Sequence, residues 1–251
     1  MEQNKTLNNL CVALVTSTRQ HWGMVDIDKV SISDTLSKSE IIRNCPKFVH
    51  IKCIPGDEQI LKDKLSWFKN LGFDTTYTIE GWKNDDRSHH TGIVKDMAKI
   101  YNYSNILNNK YVLHLENDWI FETNELDNLL KKSTQILGKD EQIIYHRYTR
   151  FDQKDIIERL SANYRYHIDC YTTNREFSFN PFVSRTRDMK YISNFVAGAG
   201  VHPHCEMAYE IAAKILNKQE NIFSFTNNNI VRHIGDSLDK DLYNERIKDI
   251  K

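Results

Sequence analysis

Proline and glycine are scarce, at 4 and 9 of 251 residues. No Pro/Gly/Ser-rich linker divides the chain, and no internal repeat is visible. A single domain over residues 1–251 is therefore expected. Charge of one sign is also missing. Lys and Arg total 34 against 34 Asp and Glu, a formal net charge of zero. This argues against a basic face dedicated to nucleic acid. Any anionic ligand must then be held by local groups and not by the overall field. The five cysteines (Cys11, Cys45, Cys53, Cys170, Cys205) form no CxxC pair and are odd in number. A reduced, cytoplasmic protein is the expectation. No apolar run approaches the roughly 20 residues of a membrane span. The opening MEQNKTLNN lacks the cationic and apolar regions of a signal peptide. Peripheral attachment to a membrane stays compatible with all of this.

What is present is an ordinary globular composition, 40% hydrophobic and 27% charged, and one conspicuous segment, YVLHLENDWIF at 111–121. Strand-forming Tyr111, Val112, Leu113 and Leu115 give way abruptly to Glu116, Asn117 and Asp118. Carboxylates delivered to the end of a buried strand cost several kcal/mol unless paired. A divalent cation offsets that cost, and strand ends are where open α/β sheets bind ligands.

The patterns on either side predict alternating elements. Leu10–Val15 reads as a buried strand ending in the polar loop TSTR. Phe48–Ile54 is a second strand. After Pro55-Gly56-Asp57 a helix carries Leu61, Leu65, Phe68 and Leu71 on one stripe and stops at Gly72. Asp74–Ile79 is a short third strand, and a helix over Thr91–Tyr101 leads into the acidic strand. The next helix has Thr123 or Asn124 as cap and ends at Gly138. Alternation of this kind predicts an α/β fold, a mainly parallel sheet flanked by helices. The second half reads as mixed. Strands are expected over Gln142–Arg150, Glu176–Arg185, Asn221–Thr226 and Asn229–Ile234. A helix starting near Pro203 should turn Met207, Ile211 and Ile215 inward.

These pieces, in this order, resemble the GT-A glycosyltransferases, closest to the inverting family-2-like group. TSTR follows the first strand. Arg87…Gly92 precede the helix into the acidic strand, and ENDW stands in the place of the DxD motif. FSFNPFVSR, Glu206 and HIGD at 233–236 come later. The likeness spans about residues 10–236. The resemblance implies a GT-A-like domain whose residues from about 1 to 121 bind the nucleotide sugar, with an acceptor-binding half at 122–251. It implies Mn²⁺ or Mg²⁺ held by Asp118 and His233, which suits hard oxygen-rich sites. Gly235 would bring the backbone close to the phosphates. Thr16, Ser17 and Arg19 would line the nucleoside and diphosphate pocket. Asp57 would receive the base or ribose, and Arg87 would pair with the diphosphate. Glu116 is longer than the aspartate of the motif, so it would meet the donor ribose or sugar, or reach the metal through water. Asn117 belongs to the same donor corner, and Trp119 would offer a face to a sugar ring. Glu206, in a first helical turn, is the candidate general base. If it were not, Asp169 or Glu176 would be. The implied partners are a nucleotide-diphosphate sugar and a hydroxyl acceptor such as a glycan.

Plainer readings stand beside these. Asp118 can be a loop cap, Glu206 an ordinary exposed helix residue, and Arg87 a partner of Asp85 and Asp86. His202-Pro203-His204 and His89-His90 lack the further ligands a zinc site needs. Two other functions fit the same residues. A nucleotidyltransferase would need a glycine-rich phosphate loop, which TSTRQHWG does not supply. A non-catalytic sugar- or nucleotide-binding module on a degenerate transferase scaffold would tolerate Glu116 in place of aspartate.

Overall fold

The computed structural model describes residues 9–18, 26–80, 86–149, 164–167, 170–173, 177–200, 204–216 and 223–234. From the amino-terminal end the elements are β1 (Leu10–Ser17), α1 (Ile27–Lys38), α2 (Glu40–Asn44), β2 (Lys47–Cys53), α3 (Glu58–Asn70), β3 (Phe73–Ile79) and α4 (Asp86–Tyr101). A 3-10 turn at Ser104–Asn108 leads into β4 (Tyr111–Glu116) and β5 (Trp119–Phe121). Then come α5 (Leu126–Lys139), β6 (Tyr145–Thr149), β7 (Tyr164–His167), β8 (Cys170–Thr173) and β9 (Phe182–Arg185). The described part ends with α6 (Thr186–Gly198), α7 (Cys205–Leu216), β10 (Phe223–Asn229) and β11 (Val231–His233).

The described strands form one nine-stranded sheet, ordered β3-β2-β1-β4-β9-β6-β10-β8-β7, and a separate β5–β11 ribbon. The first four are parallel throughout, in line with the expected α/β architecture. Beyond β4 the pairings are antiparallel except for β6 with β10. Parallel neighbours need crossovers, and helices supply them on both faces. On one face α1, α2, α3 and α5 bury Ile32, Ile42, Phe68 and Leu130 against the sheet. On the other, α4, α6 and α7 bury Met97, Ile192 and Tyr209. Each such side chain contributes roughly 1.5–3 kcal/mol. α3 stops where expected, because Gly72 follows it at φ +79°, a conformation that costs glycine least. Cys11, Cys45, Cys53 and Cys205 are buried free thiols.

Several expectations are corrected. The connection from β1 to β2 contains α1 and α2, not a loop alone. Ser, Asp, Thr and β-branched residues make α1 a weak helix former, and packing overrides that preference. Among the described residues of the expected strand 176–185, strand structure is confined to Phe182–Arg185, and α6 follows at once. The stripe Met207, Ile211, Ile215 points outward, each residue about half exposed, while Cys205, Tyr209, Ala212 and Ala213 face the core. Periodicity defines a stripe but not its direction, and the small alanines allow close packing on the opposite side. The α5 cap is Glu125, whose N–H is received by the Thr123 hydroxyl at 3.0 Å. Pro203, His202, Asp169 and Glu176 lie outside the described residues.

Two buried histidines set a pH limit on this core. His114 stands beside the Tyr101 hydroxyl at 3.1 Å, and His146 Nδ1 lies 2.8 Å from Ser224 Oγ. Burial pushes both pKa values down to about 3, with Lys132 adding to the effect on His146. Folded, they stay neutral; unfolded, they take up protons below about 6.5. Stability therefore falls as pH drops through that range. Between pH 7 and 5.5 each should cost about 1 kcal/mol. Urea titrations of wild type and His146→Gln at both pH values check this, because every other titrating group cancels in the difference. The variant should lose about 1 kcal/mol less on acidification.

Candidate active site

The strand order creates the site. β2 and β3 lie on one side of β1, and β4 lies on the other. The chain leaves β1 by one face of the sheet and enters β4 from the other. A crevice therefore opens at the carboxyl ends of β1 and β4, the switch point where such sheets take ligands. Register puts Val15 beside Glu116, so Thr16 and Ser17 adjoin the acidic corner.

A chain of polar groups holds the crevice in shape. The Ser31 hydroxyl of α1 donates to the Asn117 carbonyl at 2.6 Å. Asn117 Nδ2 donates to Thr16 Oγ1 at 3.1 Å, and Thr16 donates to Asp28 Oδ1 at 3.0 Å. Asp28 is buried and closely paired with Lys64 of α3, which also donates to the Ser17 carbonyl at 2.9 Å. Thr18 donates to Asp57 Oδ2 at 2.9 Å and receives the Ile54 N–H at 3.0 Å, tying the ends of β1 and β2. Asp28, Ser31, Thr18 and Lys64 were not singled out in the sequence. Only Thr18, inside TSTR, carried a signal. Lys64→Met leaves the Asp28 carboxylate buried and uncompensated, a change that should cost about 3 kcal/mol in a chemical denaturation titration.

Beyond Glu116 the chain turns at Asn117-Asp118 into β5. That short strand pairs antiparallel with β11, setting His233 opposite Trp119. His233 Nε2 thus reaches Asp118 Oδ2 at 2.8 Å across 115 residues of sequence. The Trp119 ring packs on the imidazole, centroids 4.8 Å apart, and its indole N–H donates to Glu116 Oε2 at 3.0 Å. Trp119 is 6% exposed. Its ring faces belong to the core and to His233, and its polar edge orients Glu116. On the far side, Glu206 Oε1 receives the Phe179 N–H at 3.0 Å in the first turn of α7. Burial, then the charges of Asp118 and Glu206, push the Glu116 carboxyl well above the usual range. The same surroundings push the Cys205 thiol up to about 12.

This corner brings together Glu116, Asn117, Asp118, Trp119 and His233, with Glu206 within electrostatic reach. Thr16 and Ser17 sit beside it, and Asp57 is reached through Thr18. Arg19 and Gly235 lie outside the described residues, as does the side chain of Arg87, whose backbone belongs to α4. Gly92 has a packing reason: a Cβ there would stand 2.6 Å from the buried Lys52 ammonium. Among the described residues no group of three or more His, Cys, Asp or Glu side chains is placed to hold a metal ion alone. A carboxylate and an imidazole, in a corner where neighbouring carboxylates raise the proton affinity of Glu116, still fit a hard cation. Mg²⁺ is commonly bound through one or two carboxylates, with substrate phosphates completing its shell.

No protein-family model and no curated protein matches this sequence. Solved structures do match along nearly the whole chain. A UDP-glucose pyrophosphorylase complexed with UDP-glucose has a TM-score of 0.55 at 11% identity, over 96% of this chain and 100% of that one. A Bacillus anthracis protein assigned as a glucose-1-phosphate thymidylyltransferase, in complex with sucrose, has a TM-score of 0.53 at 10% identity, over 96% of each chain. The 4-diphosphocytidyl-2C-methyl-D-erythritol synthase of Anaerococcus prevotii has a TM-score of 0.50 at 11% identity, over 98% and 99%. At such identities the likeness is one of fold: a mixed α/β domain whose central sheet is flanked by helices.

Proposed function

We propose that this chain is a nucleotide-sugar enzyme that moves the sugar to a hydroxyl acceptor with inversion at the anomeric carbon. The supporting observation is the gathering of Glu116, Asp118 and Glu206 at the β1–β4 switch point, with His233 bonded to Asp118. Asp118 and His233 would hold Mn²⁺ or Mg²⁺. When bound, that ion supplies positive charge beside the diphosphate leaving group. Thr16, Ser17 and Asn117 shape the floor on which the nucleoside end rests, and Asp57 meets its base or ribose. Arg19 and Arg87 are assigned to the diphosphate. Glu116, oriented by the Trp119 indole, meets the donor ribose or sugar. Glu206 takes the proton from the acceptor hydroxyl. Its hydrogen bond to the Phe179 N–H fixes one carboxylate oxygen and leaves the other for that proton. In this reading residues from about 1 to 121 serve the donor and 122–251 the acceptor.

A second reading, nucleotidyl transfer, has its own support. All three structural neighbours carry names of nucleotidyl-transferring or diphosphocytidyl-forming enzymes. The same acidic corner would serve a nucleoside triphosphate and a sugar phosphate. One assay separates the two. Supplied with Mn²⁺ and a panel of nucleotide sugars, a glycosyltransferase releases the nucleoside diphosphate. Supplied with a nucleoside triphosphate and a sugar 1-phosphate, a nucleotidyltransferase releases pyrophosphate. Binding of donor that is indifferent to EDTA, with neither product formed, would leave the chain a non-catalytic binding module.

A further inference from the structure

One cleft among the described residues lies away from the acidic corner. It holds about 980 Å³ at the opposite end of the sheet, between the 3-10 turn, the end of α5 and the outer face of α6. Lys110 on its wall immediately precedes β4, whereas Glu116 ends that strand. Five residues of extended chain separate Tyr111 from Glu116 by about 17 Å. A ligand in this cleft does not touch the proposed reaction centre.

Its lining has a definite chemistry. On a chain of zero net charge, four cations (Lys110, Arg185, Arg187, Lys190) surround it against one carboxylate, Glu141. Arg185 is committed to the architecture. It is 4% exposed, pairs with Asp188 at 2.6 Å and donates to the carbonyls of Leu137, Glu141 and Ile143. Arg187 is largely exposed and lies 3.3 Å from Asp188, whose other oxygen Arg185 already uses. Lys110 and Lys190 have no carboxylate partner among the described residues. Between these cations stand exposed aromatic rings: Tyr191 and Phe195, one turn apart on α6, are 50% and 43% exposed. Exposed aromatic rings beside cations without carboxylate partners match a ligand with a flat ring and an anionic group. The volume lies within the range of small-molecule sites, and concavity favours such a ligand over a flat bilayer.

We propose that this cleft is a second ligand site, one that binds a phosphoanion carried on a flat ring, of the nucleotide kind, independently of divalent metal. Lys110 and Lys190 take the phosphate, and Tyr191 and Phe195 stack on the ring. The assignment does not rest on which reaction the acidic corner performs.

Calorimetric titration of the full chain with uridine 5′-monophosphate in EDTA tests it, with uridine and inorganic phosphate as single-feature controls. One site is expected, with both controls binding more weakly than the nucleotide. Lys110→Ala/Lys190→Ala and Tyr191→Ala/Phe195→Ala should each weaken it by about tenfold or more. Asp118→Ala should leave it unchanged. All four cleft side chains lie at the surface, and unaltered circular dichroism and melting temperature will show that the variants fold. The assignment is overturned by an absence of binding in EDTA. It is equally overturned if binding survives both double variants or disappears in Asp118→Ala. Sedimentation with anionic vesicles that depends on these residues, with no nucleotide bound, would make the face a lipid surface instead.

Discussion

Asp118→Ala should abolish metal-dependent donor binding and lower turnover by about a hundred- to a thousandfold, the effect of removing one preorganised electrostatic partner of a developing charge. The fold should survive. Asp118 sits in a turn, its carboxylate is partly exposed, and its backbone carbonyl continues to receive the Ile234 N–H at 2.8 Å. The substitution also removes the Asp118 carboxylate from His233, whose imidazole still packs on Trp119. His233→Ala should therefore reproduce part of the loss. Turnover and Mn²⁺-dependent calorimetry of the purified variants check both, with circular dichroism as the control for folding.

Glu206→Gln should behave differently. The amide keeps the size of the side chain and an oxygen that can receive the Phe179 N–H, so α7 should start where it does now. A glutamine cannot accept the acceptor's proton. Donor affinity should stay within a factor of about two, while transfer falls by about a hundred- to ten-thousandfold, the usual contribution of general acid–base catalysis. The split between an unchanged donor dissociation constant and a collapsed rate is the signature. Slow hydrolysis of the donor, which needs less help at the acceptor side, should be affected less than transfer. Full transfer activity in Glu206→Gln would move the base elsewhere, with Asp169 and Glu176 next to be tested.

Much of the scaffold that carries this corner is legible in the chain. LCVALV, FVHIKC and YVLHLE are near-continuous apolar runs because strands covered on both faces have no polar side to show. α3 and α5 announce themselves by one-sided stripes. The helices that escape notice do so for physical reasons. α1 buries Asp28, Ser31 and Thr35 along with Ile27 and Val30, so its inward face is half polar. Asp28 and Ser31 hold the Thr16–Asn117 corner, and a helix that serves a site need not have an apolar stripe. α6 hides for the opposite reason. Tyr191 and Phe195 are apolar on its outer face while Met189, Ile192 and Val196 are apolar on its inner one.

The corner itself is only half legible. The acidic residues stand next to one another in ENDW, but their relation to His233 exists only through the β5–β11 ribbon. Three residue pairs of antiparallel register carry Trp119 to His233, and nothing local to either segment specifies that partner. Glu206 reaches the corner by a still longer route, through the packing of α7 on the second core and the irregular FSFNP segment that receives its carboxylate. Trp119 stands in the acidic corner without turning a free ring face toward it. The ring lies in the core, and its N–H meets Glu116.

The account turns on a cation held between Asp118 and His233. Crystals soaked in Mn²⁺ and uridine diphosphate, measured at the manganese absorption edge, test this directly. One anomalous peak within ligand distance of Asp118 Oδ and His233 Nε2, touching the diphosphate, is expected. A corner without a peak, its histidine and aspartate still bonded to each other while the nucleotide binds elsewhere, would contradict it.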